Sequence, residues 1–284
     1  MIAGFNIVLG VLVYRLRKLE MANLAAGASI AIALHLGIGD VAYRTVYAFV
    51  LNVLVYLNND YIDVGIDLKS ADKDNAKSRY LADHMGAALG AQWMLAALLV
   101  VAAVVHEIGL LVPLVTGGGI CIWYSAVLKR RPYLDILSMM LWGLAMPLCG
   151  VPITSALGFA MAFQLALFSG VFESIQVMRD ADEDAEEEGV RTTGVVLGKA
   201  KTLLLARVIM VASTAYAALV LHPVAALISA GAFFVPFASD RVEKYWTRVK
   251  LVYGFTWLFI CGWVFFHGGT SGLFWSLDGH LRLF

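Results

Sequence analysis

Three aspartates, Asp60, Asp63 and Asp67, stand at i, i+3 and i+7 directly after the apolar run VYAFVLNVLVYL. A continuing helix puts all three on one face, with Asn59 flanking them four residues before Asp63. A second set, Glu173, Asp180 and Asp184, is spaced i, i+7 and i+11 at the end of another apolar run, with Gln176 on the same stripe. Like charges at such spacings destabilise an isolated helix by roughly 0.2–0.5 kcal/mol per pair. Beside a bilayer the cost rises, because desolvated carboxylates repel one another. Two such helix ends facing each other call for cations. Carboxylate oxygens with water to spare suit Mg²⁺, which usually binds through one or two carboxylates plus substrate phosphates. Lys77, Arg79, Lys129, Arg130, Arg191 and Lys199 are available to hold phosphate oxygens. Metal between acidic helix ends, with a basic rim, describes a diphosphate site.

The elements that must position these groups are membrane helices. The chain is 61% apolar and 15% charged, with a mean hydropathy of +0.79, against roughly 45–50% apolar for an ordinary soluble domain. A bilayer is the natural solvent for such a surface. A span needs about 20 mostly apolar residues. Nine candidates meet that length approximately: 21–39, 41–60, 86–105, 108–128, 134–153, 156–178, 202–221, 222–239 and 250–267. If they alternate, 18 of the 21 basic residues fall at one face, and only Arg44, Arg207 and Arg282 fall elsewhere. The positive-inside rule makes that face cytoplasmic. The expectation is one all-α membrane domain over residues 1–284, with 1–14 as an interfacial helix and 61–85 and 179–201 as cytoplasmic cap loops. Each cap follows a span, begins with carboxylates and continues through basic residues to a glycine. The chain therefore reads as two pseudo-repeated halves around a central cavity.

The ordered set of motifs resembles the UbiA superfamily of intramembrane prenyltransferases. Asn59-Asp60-x-x-Asp63-x-x-x-Asp67 is similar to that family's first aspartate motif. Asp180-x-x-x-Asp184, followed by Gly189-Val190-Arg191-Thr192 and Gly198, is similar to the second, and YSAVLKR, Tyr124 to Arg130, to its basic helix end. The resemblance implies a helical bundle with a lipid-open cavity and Mg²⁺-dependent loss of diphosphate from an allylic isoprenoid. It implies that Asp60, Asp63, Asp67, Asp180 and Asp184 ligate metal, with Asn59 assisting and Lys129, with Lys77 or Arg79, contacting the diphosphate. The family's usual Arg-Pro is Arg79-Tyr80 here, and the preceding segment is longer. The implied reaction transfers the prenyl group of an allylic prenyl diphosphate to an acceptor expected to be aromatic, or else lipid-like; membrane lipid is the other partner, and no nucleic acid is expected. The implied setting is a bacterial or archaeal cell membrane, with the active site facing the cytoplasm.

Several residues carry simpler readings. Tyr56, Tyr124, Trp142, Phe168 and Phe172 have the chemistry to stabilise an allylic cation, but aromatics in apolar spans are also ordinary packing groups. Arg44 is expected near the opposite membrane face, paired with Asp40 at i−4. Asp135 reads as a helix N-terminal charge, Glu173 as a pocket-lining group, and the run Glu183 to Glu188 as a solvated face. Cys121, Cys149 and Cys261 lie within spans and read as small apolar residues. Two other functions share parts of this pattern. A terpene cyclase of the same superfamily would ionise the diphosphate without an external acceptor. A transporter would place its acids near the midplane, whereas these sit at helix ends.

Overall fold

Two helices are longer than a bilayer is thick. Ile38–Asp67 has 30 residues and Ala156–Asp184 has 29, each about 45 Å at 1.5 Å per residue. The hydrocarbon core is about 30 Å, so the last turns of both helices, which carry the acidic motifs, emerge from it. In the computed structural model, residues 2–17, 22–68, 75–186 and 190–267 are described, and no strand occurs among them. The helices are α1 (Ile2–Arg17), α2 (Ala22–Ala33), α3 (Ile38–Asp67), α4 (Asn75–Asp83), α5 (Met85–His106) and α6 (Leu111–Ala126). They continue as α7 (Leu134–Ala145), α8 (Ala156–Asp184), α9 (Thr193–Tyr216), α10 (Pro223–Ala230) and α11 (Val242–His267).

Among the described residues, six helices are long and apolar enough to cross a membrane, and three shorter apolar segments lie at Leu24–Ala33, Leu134–Gly150 and Pro223–Phe234. The nine apolar segments of the sequence reading are present, but three are shorter than a full span. The α2 helix, at 12 residues, reaches only about 18 Å. The two supposed cap loops are also largely helical. The first acidic motif stays in helix through Asp67, α4 fills much of the remaining stretch, and the second motif stays in helix through Asp184. Residues 69–74 and 187–189, and with them Asp72 and Gly189, lie outside the described residues.

The most buried span is α8, packed along α9 on one side and α7 on another; α3 packs against α2, α5 and α6. The close approach of α8 and α9 rests on Gly194, where a Cβ would stand 1.9 Å from the Val177 carbonyl oxygen. That oxygen belongs to a helix backbone and has little room to move. Gly194→Ala is expected to cost about 1–3 kcal/mol or more, read as a lower thermal unfolding midpoint in detergent.

At the end of α3 away from the acids, Arg44 is 3% exposed. It pairs with Asp40 at 2.9 Å, as its i−4 spacing leads one to expect, and also with Glu107, the residue that follows α5. The same guanidinium donates to the carbonyls of Cys149 and Val151 at 3.4 and 3.3 Å. One cation thereby ties α3, α5 and the turn after α7. Arg44→Met should cost about 3–5 kcal/mol, because it removes the cation paired with Glu107 and leaves Asp40 with His106, at 2.5 Å, as its named partner; thermal unfolding checks this.

Candidate active site

The acidic ends of α3 and α8 open on one cavity of about 430 Å³. From α3 come Asp63 and Asp67; from α8 come Glu173, Gln176, Asp180, Glu183 and Asp184. Tyr124 near the end of α6, Lys129 and Arg130 in the following 3₁₀ turn, and Thr192 ahead of α9 complete the polar lining. Six carboxylates therefore face two cationic side chains. That excess of negative charge in a half-enclosed space favours a bound cation.

Individual contacts hold this lining in place. Lys129 Nζ donates to Asp63 at 2.6 Å, and the Asn59 amide donates to the same carboxylate at 3.1 Å and to the Ser125 hydroxyl at 3.0 Å. The basic turn is thus fastened to the first acidic motif. On the other side, the Thr192 hydroxyl donates to Asp184 at 3.0 Å and accepts from the Val195 amide at 3.4 Å. It joins the second motif to the N-terminus of α9 while capping that helix. Arg179 grips Asp180 through two nitrogens, at 2.6 and 3.0 Å, and donates a third bond to Glu243 on α11 at 3.0 Å. Deeper in the cavity wall, the Tyr124 hydroxyl donates to the buried Glu173 at 3.2 Å. Glu173 thus forms part of the cavity wall.

Asp60 is not brought to this cavity. It lines a separate pocket between α3, α1 and α4 and is 2% exposed. Arg15 of α1 donates to one of its oxygens at 2.5 Å and Lys77 to the other at 2.7 Å. The Tyr56 ring lies 4.4 Å from the Arg15 guanidinium, and Tyr14 lies 4.2 Å from the Lys77 ammonium. These are cation–π distances. Three further sequence candidates are also placed elsewhere. Lys77 serves Asp60, Arg79 is exposed and lines neither pocket, and Lys199 pairs with the exposed Asp182 at 2.6 Å.

Of the five aromatics considered for cation stabilisation, only Tyr124 lines the cavity. Trp142 is buried in the core around α3, α5 and α6, and Phe168 stacks on Tyr253 at 4.2 Å. Asp135 does more than serve a helix end. It is 1% exposed and accepts from the backbone nitrogen and hydroxyl of Thr193, at 2.6 and 2.5 Å, binding α7 to α9.

Sequence reasoning missed Arg15, Ser125 and Arg179 as partners of the motif. Arg15 and Ser125 lie far along the chain from the residues they touch. Arg179 is adjacent to Asp180, and helix neighbours at i, i+1 do not ordinarily face each other.

A family model described as the UbiA prenyltransferase family matches residues 21–249. No curated protein matches the chain. Among solved structures, a digeranylgeranylglyceryl phosphate synthase superimposes with a TM-score of 0.73 at 15% identity, over 92% of this chain and 99% of that one. A UbiA homolog from Archaeoglobus fulgidus, bound to DMAPP and Mg²⁺, gives a TM-score of 0.58 at 14% identity, over 93% of this chain and 91% of that one. The same homolog bound to GPP and Mg²⁺ gives 0.57 at 14% identity, over 93% and 89%. At these identities the likeness to the solved structures is one of fold.

Proposed function

The chain belongs to the UbiA prenyltransferase family, and from that premise we propose that it is a Mg²⁺-dependent intramembrane prenyltransferase. It ionises an allylic isoprenyl diphosphate and transfers the prenyl group to an acceptor that reaches the site from the lipid. The observation that carries this reading is the opening of both acidic helix ends, with Lys129 and Arg130, on one cavity. The Archaeoglobus homolog, of the same fold, was solved with allylic diphosphates and Mg²⁺.

The donor set fits Mg²⁺. Among the described residues the cavity offers carboxylate, amide and hydroxyl oxygens, the hard oxygen ligands this ion takes. Asp63, Asp67, Asp180 and Asp184 would hold it. Among the described residues no group of three or more carboxylates, thiols or imidazoles converges tightly enough to be a metal centre alone. This suits an ion that completes its shell with water and substrate phosphates. When bound, Mg²⁺ supplies neutralisation of the departing diphosphate.

The chain's own groups do the rest. Lys129 and Arg130 sit at the rim, where their fixed charges meet phosphate oxygens as negative charge builds on the leaving group. Tyr124 presents its ring to the same space, where it faces the developing allylic cation, and its hydrogen bond to Glu173 fixes its orientation. Asp60 is assigned to holding α1 rather than to metal. The site is read as facing the cytoplasm, a reading supported by the bias of basic residues in the sequence toward one end of the spans.

The test is diphosphate release by detergent-purified protein given dimethylallyl, geranyl, farnesyl and geranylgeranyl diphosphates, with and without Mg²⁺ and with and without candidate acceptors. Mg²⁺-dependent release with an adduct of the summed mass is the expected result. Release yielding a cyclic hydrocarbon or terpene alcohol with no acceptor would make the protein a cyclase. No release from any donor would overturn the proposal.

A further inference from the structure

Asp180 lines the acid-rich cavity, whereas Arg179, the residue before it, is not among the described lining residues. The arginine therefore holds that carboxylate from outside the cavity. Its grip is a fork: Nε donates to Oδ1 at 2.6 Å and Nη2 to Oδ2 at 3.0 Å, so both oxygens of Asp180 accept from one cation. By contrast, the Lys129 ammonium meets Asp63 through a single oxygen, and the Thr192 hydroxyl that donates to Asp184 is neutral.

Adjacent side chains on a helix do not ordinarily face each other, so something must turn the guanidinium back onto Asp180. That element is α11. Glu243 accepts from Arg179 Nη1 at 3.0 Å, and the Trp246 ring centre lies 5.6 Å from the guanidinium carbon. Glu243 and Trp246 are three residues apart and share a face of α11. Arg179 consequently stands between two carboxylates, one in the cavity wall and one on α11.

We propose that Arg179 is an internal counter-cation that competes with the metal ion for Asp180, and that Glu243 sets how strongly it competes. A planar guanidinium matches a carboxylate through two parallel bonds. An ion drawn to the same oxygens meets a fixed positive charge at close range, and the opposition is stronger in a half-enclosed site than in bulk water. Glu243 shares the guanidinium and offsets part of its charge. Affinity for the metal alone is thereby held low, and the phosphate oxygens of the donor are needed to complete the ion's shell. Arg179 is a positioning residue: it acts on the ion through Asp180.

This inference rests on the prenyltransferase reading for the identity of the ion, and the two fail separately. The probe is Mn²⁺, which takes the same hard oxygen ligands. It is titrated into detergent-purified protein without donor and followed by electron paramagnetic resonance. Arg179→Gln should bind Mn²⁺ at least about 10-fold more tightly than wild type, the scale on which an opposing charge at close range is felt. Glu243→Gln still accepts the Nη1 bond, so it preserves the fork while removing the offsetting charge, and it should weaken Mn²⁺ binding. The Mg²⁺ concentration for half-maximal diphosphate release should move in the same two directions. A purely structural clamp predicts one sign, because loss of either contact would loosen Asp180 and weaken binding in both variants. Equal or weaker binding in Arg179→Gln, or equal or tighter binding in Glu243→Gln, overturns the proposal. If Arg179→Gln does not fold, Glu243→Gln carries the decision alone. If the affinities shift as expected but no donor is cleaved, the counter-cation role stands and the enzymatic reading falls.

Discussion

Asp63→Asn and Asp184→Asn should each lower Mg²⁺-dependent diphosphate release by at least about 100-fold, the scale on which lost metal support or a lost charge-stabilising group is felt. Each carboxylate lines the cavity, one from α3 and one from α8. Asparagine keeps the shape and one acceptor oxygen but removes the charge that a hard cation requires. Raising Mg²⁺ should recover part of the activity if the loss is in metal affinity. The two variants also test the partners. Asp63→Asn frees Lys129 from its 2.6 Å contact, whereas Asp184→Asn still accepts from the Thr192 hydroxyl. Asp184→Asn should therefore keep its fold more nearly intact. Normal turnover in either variant, with protein that still elutes as a single folded species, would sink the metal assignment.

Asp60→Asn should behave differently, although it belongs to the same sequence motif. Its loss leaves Arg15 and Lys77 facing a neutral amide in a buried place, a change that costs about 3–5 kcal/mol. The expected readout is a depressed thermal midpoint and earlier proteolysis within α1, with the Mg²⁺ concentration for half-maximal release unchanged in the folded fraction. Removing the facing charge as well, in Arg15→Met/Asp60→Asn, should restore part of the stability. The coupling between the two changes then measures the pair. A large shift in Mg²⁺ requirement without loss of stability would return Asp60 to the ligand set.

The helical spacing that made the motif conspicuous also explains why it could not separate these roles. At about 100° per residue, Asp60 and Asp63 stand at the two edges of an arc of about 60°, with Asp67 between them. One face is a fair description of α3 alone. In the bundle, α1 and α4 meet one edge and the basic turn after α6 meets the other, so the arc is split. No local pattern announces Arg15, which lies 45 positions from Asp60. The same holds for Glu107, 63 positions from Arg44, although the i−4 partner Asp40 was readable. Acidic helix ends, long spans and the Asp40–Arg44 pair follow from periodicity. The rest depends on which helices become neighbours.

The fastening of Arg15 to Asp60 has a practical side. The family match begins at residue 21, after α1 has ended. An expression boundary drawn at that point would delete the guanidinium beneath Tyr56 and leave a buried aspartate with Lys77 as its one remaining named counter-ion. Shortened versions should express poorly or lose the first acidic motif's alignment even though every motif residue is retained. A purification tag is better carried at the other end, where it cannot compete with α1 for its seat on α3 and α5.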